Sequence, residues 1–250
     1  MQVIVDNLLT NYRETGQGKV VLLLHGWGDS SDTYRQLQPQ LGAKYRVIAL
    51  DLPGFGKTEA PKTVWGLDDY GKFVQNFLQK INAQNVYAII GHSNGGALTV
   101  RALSIGELQT QKLVLLAAAG IRNQQKTKKL ITKIIAKTGK VATFWLPKNK
   151  KAMLRKKLYG VVGSDMLVAP NLQETFKKTV AQDVQSDATK LNLPVLLIYA
   201  KNDPAVPASD GERYHKLIKN SKLVLIENAG HFVHQDQPAE VAQLISEFLK

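Results

Sequence analysis

Six short runs of this chain are apolar almost without interruption: Lys19-Val-Val-Leu-Leu-Leu24, Tyr45-Arg-Val-Ile-Ala-Leu50, Val86-Tyr-Ala-Ile-Ile90, Lys112-Leu-Val-Leu-Leu-Ala117, Pro194-Val-Leu-Leu-Ile-Tyr199 and Lys222-Leu-Val-Leu-Ile226. A strand with one wet face alternates apolar and polar residues, whereas a strand covered on both faces does not. Helical stretches fall between the runs, at about 33–41, 67–81, 95–104, 209–219 and 239–249. Ser31 or Asp32 is placed to cap the first, and Pro238 suits the first turn of the last. Strands and helices in this alternation build an α/β fold, a mostly parallel central sheet with helices on both faces. Ahead of them, Val3–Val5 and Leu8–Arg13 flank Asp6-Asn7 as a hairpin.

The alternation breaks once. The core is expected to comprise residues 1–121 and 191–250, with 122–190 a helical, strongly basic cap inserted between two core strands. The charge distribution supports that division. The chain of 250 residues carries a net charge of +13 from 33 Lys and Arg against 20 Asp and Glu. Thirteen of the basic residues, and no acidic one, lie between Arg122 and Gly160. The remaining twenty match the twenty acidic residues, so the excess belongs to one segment and not to a generally basic protein. Leu130, Ile131, Ile134 and Ile135 share one helical face there, with lysines around the rest. Such a helix serves as a lid with a solvated outer face, as a docking surface for an acidic carrier protein, or as a contact for an anionic membrane surface. With only Arg122 and Arg155 as arginines, there is no arginine-rich, aromatic-interleaved face, and nucleic acid is not an expected partner.

There is no cysteine, which removes disulfides, thiol nucleophiles and thiolate metal sites. No apolar run approaches the ~18 residues of a membrane helix. Met1-Gln-Val-Ile-Val-Asp6 lacks the basic-then-apolar character of a signal peptide, and a cytoplasmic location is the expectation.

The chemistry gathers at strand ends. Gly91-His-Ser-Asn-Gly95 follows one apolar run and precedes one helix, the setting in which a G-x-S-x-G sequence lifts its serine above the sheet on a sharp turn. Ser93 is therefore the candidate nucleophile. A serine hydroxyl needs a base, and the base needs an orienting acid. His231 follows the run ending at Ile226, and Asp203 follows the run ending at Tyr199. Serine, acid and histidine thus fall in that order at the edge where open α/β sheets place their sites. His92 reads as a packing or hydrogen-bonding residue, His25 as a brace, and Asp51 as a local acceptor. His234 and Asp236 are candidates for contacts supporting the histidine turn, and His215 reads as solvated. Gly54 and Gly56 lack the further residues of a nucleotide loop. No cofactor and no metal are expected.

On these residues, together with His25-Gly-Trp-Gly28 and Asp51-Leu-Pro-Gly-Phe-Gly56, the chain resembles the α/β-hydrolase superfamily over nearly its whole length outside the cap. The resemblance implies an oxyanion hole from the backbone N–H groups of Trp27 and Asn94. Serine at the elbow sets the chain apart from superfamily members that use aspartate there. It is similar to small capped carboxylesterases, including pimeloyl-carrier-protein methyl ester esterases, and to C–C bond hydrolases of ring-cleavage pathways. The latter typically carry tryptophan after the catalytic histidine, where this chain has Phe232. The implied activity is hydrolysis of a small-molecule carboxylic ester with a small to medium apolar acyl part. The alternatives are a C–C hydrolase of a diketone-type substrate and a non-catalytic ligand-binding protein on the same fold.

Overall fold

A computed structural model of the chain describes residues 1–122 and 170–250. Most of the expected cap, including the apolar face at Leu130–Ile135 and every basic residue of its charged segment except Arg122, lies outside the described residues. Eight strands form one sheet: β1 (Gln2–Val5), β2 (Leu8–Thr15), β3 (Val20–Leu24), β4 (Arg46–Leu50), β5 (Val86–His92), β6 (Lys112–Leu116), β7 (Val195–Ala200) and β8 (Ser221–Ile226). Their order across the sheet is β1-β2-β4-β3-β5-β6-β7-β8. β1 and β2 run antiparallel around Asp6-Asn7, whose positive φ angles of 48° and 62° give the two-residue hairpin turn. β2 meets β4 antiparallel, and from β4 onward every pairing is parallel.

The unbroken apolar runs have the expected cause. In β3, β5 and β7 every residue is buried. Alternate side chains enter two separate cores. Leu22, Leu24, Ile89, Leu113 and Leu115 face one layer with α2 (Leu67–Lys80) and α3 (Asn94–Ser104). Val21, Leu23, Ile90, Val114 and Leu116 face the other, with α1 (Leu37–Gly42) and, at the end of the chain, Val241 and Ile245. From residue 170 the described chain continues, still within the span expected for the cap, as α4 (Gln173–Ala181) and α5 (Gln185–Ala188), and then in the core as α6 (Ala208–Leu217), α7 (Val233–Asp236) and α8 (Pro238–Phe248). The buried Asp187 of α5 accepts hydrogen bonds from Arg101 (3.0 Å) and Ser104 (2.7 Å), fastening α5 to α3.

One expected helix is divided. The stretch 33–41 forms a single 3₁₀ turn, Ser31–Tyr34, and then restarts as α1. Pro39 explains the break. Within a continuous helix it would remove a hydrogen bond and press on the carbonyl four residues earlier, whereas the restart puts it in a first turn. Ser30, rather than Ser31 or Asp32, supplies the capping oxygen. Pro238 does stand in the first turn of its helix.

The chain leaves β3 for β4 on one side and crosses back to β5 on the other. The connections after β3 and β5 therefore diverge and open a crevice at the carboxyl edge of the sheet. The glycines of the β5–α3 turn let it sit against β3. A Cβ on Gly95 would fall on the carbonyl oxygens of Leu24 and His25. Gly95→Ala is expected to lower the unfolding free energy by about 1–3 kcal/mol through overpacking. It would be read as a lower urea midpoint at unchanged slope, and an unchanged midpoint would contradict the close approach described here.

Candidate active site

The turn between β5 and α3 holds Ser93 at φ 50° and ψ −117°, a conformation that side-chain-bearing residues seldom adopt. Its backbone is clamped from both sides. The Ser93 N–H donates to the Leu116 carbonyl (3.0 Å), and the Ser93 carbonyl accepts from Gly96 (3.0 Å), Ala97 (3.2 Å) and Ala119 (3.0 Å). Ala117, also at positive φ (43°), turns the end of β6 so that this second clamp can form. No sequence pattern marks that role, because the signal is a backbone angle and not a residue type.

Three side chains expected from sequence come together over this turn. The Ser93 hydroxyl lies 3.0 Å from His231 Nε2, and His231 Nδ1 lies 2.8 Å from Asp203 Oδ2. The second carboxylate oxygen of Asp203 accepts the backbone N–H groups of Ala205 (2.7 Å) and Val206 (3.0 Å). The Asp203 side chain is wholly buried, whereas His231 retains 18% exposure. A fully bonded carboxylate can only accept from Nδ1–H, which fixes the imidazole tautomer and leaves Nε2 as the acceptor facing the serine.

The loop after β3 forms the opposite wall. His25 is buried, donates from Nδ1 to the Gly26 carbonyl (2.7 Å), and accepts the Leu52 N–H at Nε2 (2.9 Å). It ties the β3 loop to the β4 loop. Gly26 lies against the serine, since a Cβ there would stand 3.0 Å from Ser93 Cβ. Trp27 follows, stacked edge-on against Phe55 (4.8 Å between ring centres) and tilted against Phe176 of α4 (5.1 Å). Asn94 is the first residue of α3, where helix geometry provides N–H groups without intrahelical acceptors. The contact of α4 with Trp27 has no sequence signal, as nothing local distinguishes Phe176.

Asp51 is buried and accepts from Ser31 N (2.7 Å), Lys57 N (2.9 Å) and Asn11 Nδ2 (2.8 Å). Burial alone would raise its pKa, but these donors hold it below the usual carboxylate range. Asp236 accepts the Gly230 N–H (2.8 Å) and so shapes the turn carrying His231. His234 is bonded to Thr33 (2.9 Å), 201 residues away in sequence. His215 is exposed and bonds Ser221. Phe232, 39% exposed, leaves an apolar ring beside His231. Among the described residues, no group of three or more His, Asp or Glu is disposed to hold a metal ion, and no helix is long and apolar enough to cross a membrane.

With the fold and site in view, a comparison with known proteins gives the family. Residues 21–244 match the Alpha/beta hydrolase family, and the chain belongs to it. It is a hydrolase by that membership. It is similar to the uncharacterized hydrolase YugF of Bacillus subtilis (strain 168), at 26% identity over 96% of this chain and 93% of that protein. It is also similar to the 2-hydroxy-6-oxo-6-(2'-aminophenyl)hexa-2,4-dienoic acid hydrolase of Metapseudomonas resinovorans, at 27% identity over 96% of this chain and 87% of the relative. Among solved structures it resembles a membrane phospholipase A described as a bacterial virulence factor. The TM-score is 0.79 at 25% identity, covering 100% of this chain and 84% of that one.

Burial pushes the pKa values of His25, His92 and His234 down, His234 to about 3, so these imidazoles are neutral in the folded protein. Unfolding releases them to the ordinary histidine value of about 6.5. Below that pH the unfolded chain binds more protons than the native one, and stability falls as pH falls. Between pH 6.5 and 5 His234 is expected to cost up to about 1.4 kcal/mol per pH unit, with His25 and His92 acting in the same direction. Urea unfolding at a series of pH values checks this, and a flat profile across that window would contradict it.

Proposed function

We propose that the chain is a serine hydrolase of carboxylic esters with small to medium apolar acyl groups. The observation that supports this reading is the continuous relay from Asp203 Oδ2 through His231 to the Ser93 hydroxyl, at 2.8 and 3.0 Å. In the proposed mechanism, His231 Nε2 takes the hydroxyl proton as Ser93 Oγ bonds to the substrate carbonyl carbon. Asp203 stabilises the resulting imidazolium and holds its orientation. The backbone N–H groups of Trp27 and Asn94 receive the oxyanion, each such donor contributing about 2.7–4 kcal/mol in comparable sites. Collapse of this intermediate expels the alcohol, which leaves with the proton from His231. Water, deprotonated by His231, then attacks the acyl-serine, and the acid departs as Ser93 regains its proton. No cofactor or metal enters these steps.

The apolar acyl preference draws support from the half-buried Trp27 ring, packed on Phe55 and Phe176 in the loop that lies against Ser93, and from the exposed Phe232 ring beside His231. A second reading, cleavage of a C–C bond in a diketone-type substrate, is favoured by the similarity to the Metapseudomonas resinovorans hydrolase. The two separate in one experiment, a p-nitrophenyl ester series of increasing acyl length run beside a diketone substrate. Ester turnover is expected to be highest for the shorter to medium chains. It should vanish in Ser93→Ala and fall by up to about 10⁴-fold in Asp203→Asn, where the tautomer is no longer fixed. Faster turnover of the diketone than of any ester would reassign the reaction. Hydrolysis of neither would contradict both readings.

A further inference from the structure

His92 precedes the elbow serine and is 1% exposed, yet no step of the proposed mechanism uses it. Its ring nevertheless spans the two halves of the site. Nε2 lies 3.0 Å from the backbone carbonyl oxygen of His231. A carbonyl only accepts, so Nε2 carries the proton and Nδ1 is the bare nitrogen. Nδ1 is buried with no hydrogen-bond partner and faces the β3 loop, since a Cβ on Gly26 would stand 3.1 Å from it. The ring centre lies 4.8 Å from that of His231, 5.2 Å from Phe232 and 4.9 Å from His234.

We propose that His92 is a positioning residue, a neutral imidazole that donates to the His231 carbonyl and so fixes the height of the base above the serine. This rests on the serine-hydrolase reading and extends it. The peptide bond from His92 to Ser93 makes the nucleophile and this donor adjacent. One side chain thereby couples the serine turn to the histidine turn, 139 residues further along the chain. An apolar ring of the same size would fill the space and leave the His231 carbonyl unpaired, which lets that turn relax. A second proton acceptor is the wrong role for His92, because its bare nitrogen faces Gly26 without a hydrogen-bond partner, while the serine hydroxyl is bonded to His231. The titratable groups around it are His25 from the β3 loop and His231 and His234 from the turn and helix after β8. Burial, with His234 and His231 adding to it, keeps the His92 imidazole uncharged well below the ordinary histidine range.

Two substitutions separate donor from filler. His92→Phe keeps a ring and loses the donor, whereas His92→Gln keeps an N–H donor near the Nε2 position. Rates are normalised to active sites titrated with a fluorophosphonate, which removes the effect of partial unfolding. His92→Phe is expected to lose roughly 10- to 100-fold in kcat/KM, the scale of a displacement of about 1 Å in a reacting group. The loss should fall on kcat, with KM within about 2-fold. His92→Gln should recover most of it, and the pH midpoint of kcat/KM should match wild type in both. Equal activity of His92→Phe and wild type, failure of His92→Gln to recover, or a displaced pH midpoint would overturn the proposal. Nitrogen NMR of wild-type protein with labelled histidines needs no variant to fold and no substrate. His92 should be neutral and protonated on Nε2 from pH 8 to pH 5, and the opposite tautomer or a titration in that range would overturn it. Absence of wild-type turnover on every ester and diketone would instead defeat the underlying functional reading, with the NMR result still deciding the hydrogen bond.

Discussion

Ser93 sits in a backbone conformation that its own side chain disfavours, and the surrounding architecture is what holds it there. A residue at φ 50° and ψ −117° persists only where its neighbours over-determine it. They do so through the Leu116 and Ala119 hydrogen bonds, the left-handed Ala117, and glycines that bring β3, β5 and α3 into contact. A Cβ on Gly91 would stand 2.7 Å from Gly96 Cα, which shows how tightly the turn closes on itself. The parallel pairing of β5 with β6 is needed for this, because Leu116 ends β6 and Ala119 follows it closely. The strained turn in exchange sets the hydroxyl at the head of a helix and within reach of a histidine from a distant loop.

The site also separates its titratable groups by environment. Asp203 is enclosed but receives two backbone N–H bonds besides His231, so its charge is compensated where it lies. His25, His92 and His234 are enclosed without a carboxylate bonded to them, and burial holds them neutral. His231 alone of the four is paired with an acid and partly open to the crevice. The four imidazoles thus divide into one bonded to both Asp203 and Ser93 and three enclosed among the surrounding loops.

Much of this is legible in the amino-acid sequence. Burial on both faces erases alternation, so β3 and β7 could be recognised as core strands from Val20–Leu24 and Val195–Ala200 alone. Ser93, Asp203 and His231 stood out because each directly follows such a run. The division at Pro39 was less visible, since apolar spacing continues through it while the backbone cannot. Contacts such as His92 with His231 and Thr33 with His234 were not legible at all. They depend on which loops the sheet order brings together, and neither composition nor period encodes that. The same holds for Phe176 against Trp27, where an ordinary helical phenylalanine becomes a neighbour of the proposed oxyanion loop only through packing.

In the proposed chemistry one serine, Ser93, is made nucleophilic by the relay from Asp203 through His231. Labelling the intact protein with a fluorophosphonate and locating the adduct by peptide mass spectrometry tests it directly. The expected result is one adduct per chain, on Ser93, absent from Ser93→Ala and formed far more slowly in His231→Gln. Labelling of a different residue, no labelling of folded wild-type protein, or an unchanged rate in His231→Gln would contradict it.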